Sequence, residues 1–168
     1  MQSSDLFVEA FGRVRGALHG AVGGLTTDQL AYRPDGEANS IAWLAWHLSR
    51  VQDDHVADVA GTPQLWTSAG WVDRFSLPFA PSEIGYGQNS DDVGSVRADA
   101  DLLMGYYDAV HEHTIAFVGQ LGEDDLDRIV DESWDPAVSL GQRLVSVIED
   151  DLQHAGQAAY VRGLIERM

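Results

Sequence analysis

Apolar residues recur along this chain at three- and four-residue steps in four separate stretches, the spacing that gathers them on one side of a helix. Phe7, Phe11, Val14, Leu18 and Val22 form the first stripe, which predicts a helix from Ser4 to Val22. Ser3, Ser4 and Asp5 are candidate N-caps, and Gly23 and Gly24 stop it. Ile41, Leu44, Leu48, Val51 and His55 mark a second helix from Ile41 to Ala60, capped by Asn39 or Ser40 and ended by Gly61-Thr62-Pro63. A third is predicted from Asp92 to Gln120, with Val96, Leu103, Tyr106, Val110, His113 and Phe117 on one face. Ser139 caps a fourth that runs to Arg167 through Leu140, Leu144, Val147, the Asp150-Asp151 pair, His154, Ala158, Val161 and Leu164. Short helical turns are expected at 26–30 and 121–128.

Residues 62–90 break the pattern. They carry Trp66, Trp71, Phe75, Phe79 and Tyr86 among prolines and glycines, with no sustained period. A loop that long inside a compact domain is functional or disordered, and the aromatic content argues against disorder. The segment is therefore predicted to be an ordered crossover whose aromatics pack over one end of the bundle. With no convincing strand pattern, the fold class is all-α: a four-helix up-and-down-type bundle with one long crossover, in a single domain spanning residues 1–168.

Composition narrows the function. The formal charge is −17, and lysine is absent. Such a field repels nucleic-acid backbones and anionic membranes, so neither is expected as a partner. No stretch is apolar enough for a membrane span and the first residues lack the build of a signal peptide, so a cytoplasmic location is expected. Cysteine is absent, which excludes disulfides, thiolate metal sites and a cysteine nucleophile. Any thiol chemistry would need a thiol from outside the chain.

The candidate chemistry is a polar triplet set into the apolar patterns. His47 lies within the second helix, and Asp150 and His154 lie four residues apart in the fourth, on one face. Two imidazoles and one carboxylate from two packed helices make a three-ligand set for a divalent ion with open positions, suited to zinc, nickel or ferrous iron. The same spacing also fits a hydrogen-bonded core histidine beside a common D-x-x-x-H pair. Asp151 is an alternative ligand, Asp54 a spare or supporting one, and Gln157 a group that could bond a ligand. His55 and His113 read as partly buried structural histidines, and His19 and His111 as surface residues. Trp43 and Trp46 read as core or subunit interface, with His47 turned away from both.

At these residues the chain resembles a known family. The run NSIAWLAWHLSR at 39–50, with its helix end at Gly61, resembles the second helix of DinB-like bundles. The run EDDLQHAGQAAYVRGL at 149–164 resembles their closing H-x-x-x-H-x-G-Q segment, and LAYRP at 30–34 fits the connector after their first helix. The resemblance implies a four-helix bundle, a three-ligand metal site at His47, Asp150 and His154, and a homodimer. Asp150 stands where many members carry histidine. The branch resembling the N-terminal domain of mycothiol-dependent maleylpyruvate isomerase carries a glutamate there, which points to a mycothiol-type thiol as cosubstrate. The chain is too short for that isomerase's additional C-terminal domain, so maleylpyruvate is not the expected substrate. The resulting expectation is a metal-dependent enzyme, zinc first among the ions, that transfers a low-molecular-weight thiol to a small electrophile or carries out a thiol-dependent isomerisation. The alternatives are a metal-dependent hydrolase and a non-catalytic, stress-related dimeric bundle.

Overall fold

The computed structural model describes residues 2–168. Four long helices carry it: α1 (Ser3–Val22), α3 (Ile41–Ala60), α7 (Ala100–Val118) and α8 (Leu140–Ile165). Short helices α2 (Thr27–Leu30), α4 (Leu65–Ser68), α5 (Trp71–Phe75) and α6 (Ser90–Ser95) sit in the connections. A 3-10 turn at Glu123–Asp127 leads into a two-stranded antiparallel ribbon, β1 (Ile129–Asp131) and β2 (Val138–Ser139), which the sequence pattern did not show. The all-α bundle that the periodicity predicts is the architecture found.

The caps explain where the helices start. Ser40 accepts from the Trp43 N–H at 3.1 Å, and Ser139 from the Gln142 N–H at 3.3 Å. Each such cap is worth about 1 kcal/mol. Gly61 ends α3 with φ of 67°, the left-handed turn that glycine adopts without strain. The predicted third helix is in fact two. Residues 96–99 leave helical geometry after α6, and Asp99 caps a fresh start by accepting from the Leu102 N–H at 2.7 Å.

Helix directions account for the long crossover. Arg15 and His19 of α1 both meet Asp108 of α7, and Val8 packs near Gly119, so α1 and α7 are antiparallel. His47 of α3 meets His154, and His55 meets Arg143, so α3 and α8 are antiparallel too. Arg162, near the end of α8, donates to the Gly23 carbonyl at the end of α1, which makes these two parallel. The helices therefore run up, down, down, up. Because α3 and α7 point the same way, the chain between them must travel back along the bundle. Residues 62–99 do this along the flank of α3, not over one end of the bundle: Asp53 meets Leu65 and Trp66, Arg50 meets Glu83, His47 meets Ile84, and Trp43 meets Gln88.

That covering turns α3 into a helix buried on all sides. Every residue from Ser40 to Asp53 is buried, the polar ones included. Arg50 and Asp53 have fully buried side chains 3.7 Å apart. Arg50 donates to the Glu83 carbonyl, Gln64 and the Tyr106 hydroxyl, and lies over the Trp66 ring. Asp53 accepts from the backbone N–H groups of Leu65 and Trp66, at 2.9 and 2.7 Å, and from the Tyr106 hydroxyl at 2.8 Å. A buried ion pair is costly unless its remaining donors and acceptors are met, and here all but Arg50 Nη2 have a partner among the described residues. The network fastens the crossover to α3, and its aromatics complete the core: Trp66 packs on Phe75 and Tyr106, and Phe79 on Trp46.

Candidate metal centre

The α3–α8 contact brings His47, Asp150 and His154 together. One ligand-type atom from each lies within 4.8 Å of the other two. The imidazole centroids of His47 and His154 are 4.7 Å apart. His47 is buried, and the side chains of Asp150 and His154 are about a quarter exposed or less.

Both rings are oriented through the same nitrogen. His47 Nδ1 donates to the Ile84 carbonyl at 2.5 Å, and His154 Nδ1 donates to the Asp150 backbone carbonyl at 2.9 Å. A ring nitrogen that donates to a carbonyl carries a proton, so Nε2 is the nitrogen each ring has left to offer a ligand. Burial pushes the His47 pKa below the usual histidine value despite the pull of the Ile84 carbonyl, so the ring is neutral at pH 7. Asp150 Oδ2 is buried with no hydrogen-bond partner among the described residues. Such an atom is costly to leave unmet. A divalent ion between the three groups would satisfy it, and two imidazoles with one carboxylate are a donor set that fits one.

His47 is held on every other side. Its ring stacks on Trp43 at 4.6 Å and 18°, and Tyr86 meets its edge at 5.2 Å and 82°. Trp43 is fixed in turn by its Nε1–H donating to Gln88 at 2.8 Å. His47 therefore faces Trp43, one helical turn away, and is not turned from it as the sequence suggested. Gly85 lies against the ring with φ of 108°. A Cβ there would fall 3.1 Å from His47 Cγ and 3.2 Å from Cε1, and closer still to Nδ1. Only glycine lets the crossover bring the Ile84 carbonyl this near.

The other candidates fall elsewhere. Asp54 accepts from Gln64 at 2.7 Å and lies outside the cluster. Asp151 is fully buried and outside the cluster, with neither carboxylate oxygen partnered among the described residues. Burial, and then the charge of Asp150, raise its pKa well above the usual carboxylate range. His55 sits between Asp54 and Arg143, matching its structural reading. His111, expected at the surface, is buried against Tyr107, whereas His113 stays at the rim near Thr62. His19 pairs with Asp108. The sequence did not point to Ile84 and Gly85, which act through backbone and position, or to Gln88, which acts through its side-chain oxygen; the one signal was the glycine-flanked Tyr86 in an otherwise unexplained aromatic loop.

Fold and donor set together define a helical bundle with a candidate divalent-metal centre. A family profile described as the DinB superfamily matches residues 10–158, and the chain belongs to that superfamily. Its members commonly bind a divalent metal. A crystal structure described as the conserved protein of locus from Enterococcus faecalis is similar to this chain at a TM-score of 0.93 and 27% identity, covering 100% of this chain and 99% of that one. No curated protein matches. None of the helices among the described residues is long and apolar enough to cross a membrane.

Proposed function

We propose that this chain is a divalent-metal-dependent enzyme that joins a low-molecular-weight thiol of the mycothiol type to a small electrophile, or isomerises a substrate through such a thiol. The observation that carries the reading is the meeting of two imidazoles and a carboxylate with an unpartnered oxygen in the α3–α8 groove. His47, Asp150 and His154 would hold the ion, zinc before nickel or iron. Bound there, it supplies positive charge that favours the deprotonated form of a thiol or water beside it.

The chain's own residues shape what happens around that charge. The Ile84 and Asp150 carbonyls keep both rings in one tautomer and orientation. Trp43 and Tyr86 shield His47 from water. With no cysteine present, the sulfur nucleophile must arrive as a cosubstrate. In transfer, the thiol's proton goes to solvent, sulfur bonds to the electrophilic carbon, and the leaving group departs with the bonding pair. A carboxylate at position 150 in place of a third imidazole supports the mycothiol branch of the superfamily. A homodimer belongs to the same reading and is checked by sedimentation.

The test is to load the protein with zinc, nickel or iron and incubate it with mycothiol and a panel of model electrophiles. Thiol-dependent product above background, lost in His154→Ala, is the expected result. No rate above background with metal confirmed would remove the transferase reading. Turnover without any thiol would identify a metal-dependent hydrolase instead.

A further inference from the structure

Two cavities flank the triplet along the α3–α8 groove, and Gln153 lines both. The smaller, about 250 Å³, carries Glu149, Asp150 and His55 in its wall. The larger, about 570 Å³, is of a different character. Its wall is mostly apolar, made by Pro34, Ala38, Leu44, Tyr160 and Val161 with Gly156, and its amide residues are Asn39, Gln157 and Gln153, the last of which donates to Glu149 on the side of the smaller cavity. Apart from the Tyr160 phenol, no ionisable side chain among the described residues lines it. In a chain of net charge −17 that is unusual company: other cavities carry Asp54 and Asp58, or Glu83 and Asp92.

From these observations we infer that the larger cavity binds an uncharged organic molecule bearing amide or hydroxyl groups, seated next to the candidate metal centre. A charged ligand would leave water for a mostly apolar wall and meet no counter-charge there. An anion would in addition enter the field of the whole protein. The carboxamides of Asn39 and Gln157 both donate and accept, so they match neutral polar groups of either kind, while Leu44, Val161 and the Tyr160 ring offer apolar area. The volume lies within the range of small-molecule sites, about 300–1,000 Å³. Position ties the cavity to the triplet: Gln153 precedes His154, Gln157 follows it by one turn, and Leu44 precedes His47 by one turn. That the occupant is a co-reactant rests on the function proposed above; that the cavity selects neutral molecules does not.

Gly156 gives a way to test this. A Cβ at that position meets no atom within 4 Å, so a larger side chain projects into open space without disturbing α8, and helix propensity favours the change. The probes are 2-naphthamide, 2-naphthoate and 2-naphthylmethylammonium, which share a ring system and differ in charge. Their dissociation constants are measured by NMR titration on wild type, Gly156→Ala and Gly156→Leu. The expected result is that wild type and Gly156→Ala bind the amide about tenfold or more tightly than either ion, and that Gly156→Leu loses about tenfold or more of the amide affinity. Binding of either ion as tight as that of the amide, an unchanged amide affinity in Gly156→Leu, or no binding of any probe would overturn the inference. Zinc calorimetry on the same proteins separates the two readings. Gly156→Leu should keep its zinc affinity, and a chain with no zinc affinity in any form removes the metal reading while the amide result still stands.

Discussion

Replacing Gly85 with alanine perturbs the candidate metal centre without replacing a ligand. Gly85 has φ of 108°, so any side chain there carries the steric cost of left-handed backbone, about 1–2 kcal/mol. The added methyl also meets the His47 ring, 3.1 Å from Cγ and 3.2 Å from Cε1. His47 lies in a stretch of α3 that is buried on all sides, so the crossover must give way. Its retreat takes the Ile84 carbonyl from His47 Nδ1 and frees the ring to turn. Loss of a partner that orients a metal-bound histidine costs about 10–100-fold in metal affinity, which is about 1.4–2.8 kcal/mol. Gly87→Ala is the matched control: its φ is 74°, and a Cβ there meets nothing within 4 Å. Calorimetric titration with zinc and thermal melting in chelator are run on both variants. Gly87→Ala should lose only the backbone cost, Gly85→Ala more than that, and Gly85→Ala alone should lose zinc affinity. A folded Gly85→Ala variant that binds zinc as tightly as wild type would refute the claim that the crossover positions His47.

Other substitutions probe the rest of the account. Asp53→Ala leaves the buried Arg50 without its partner and α4 without its cap, so urea unfolding should show a loss of about 3–5 kcal/mol; a loss below about 1 kcal/mol would contradict the buried-network reading. Asp151→Asn should stabilise the chelator-treated protein. Because burial raises the Asp151 pKa in the folded chain, the folded state holds more protons than the unfolded one above the unfolded pKa of about 3.9. Wild-type stability from this group therefore falls as pH rises from there towards the folded pKa. The melting-temperature gain of Asp151→Asn should grow over the same window, and a gain independent of pH would show that Asp151 is not the cause.

Much of this was legible in the sequence, for reasons that particular residues make plain. The second helix was bounded correctly because Asn39-Ser40 and Gly61 are strong start and stop signals, and Ser40 is the cap. His47, Asp150 and His154 could be picked out because ligands on two packed helices inherit the helical period. What failed was the assumption that each helix has one buried face. On α3 the crossover covers the second face, so Arg50 and Asp53, polar and apparently solvent-facing, form a buried ion pair. The crossover's own path could not be read because its grip comes from backbone groups, the Ile84 and Glu83 carbonyls and the Leu65 and Trp66 N–H groups, which leave no mark in side-chain pattern. On α7 the unseen break at 96–99 and a near-heptad reading of the stripe put His113 inward, whereas the 3.6-residue period from Leu103 buries Tyr107, His111 and Thr114.

The central claim is that His47, Asp150 and His154 hold one divalent ion. Elemental analysis of tag-free protein, wild type beside Asp150→Ala and His154→Ala, tests it most directly. The account predicts about one zinc, nickel or iron per wild-type chain, lost in both variants while their helical circular dichroism persists. A wild-type chain that takes up no stoichiometric metal after reconstitution, or variants that keep it, would contradict the account.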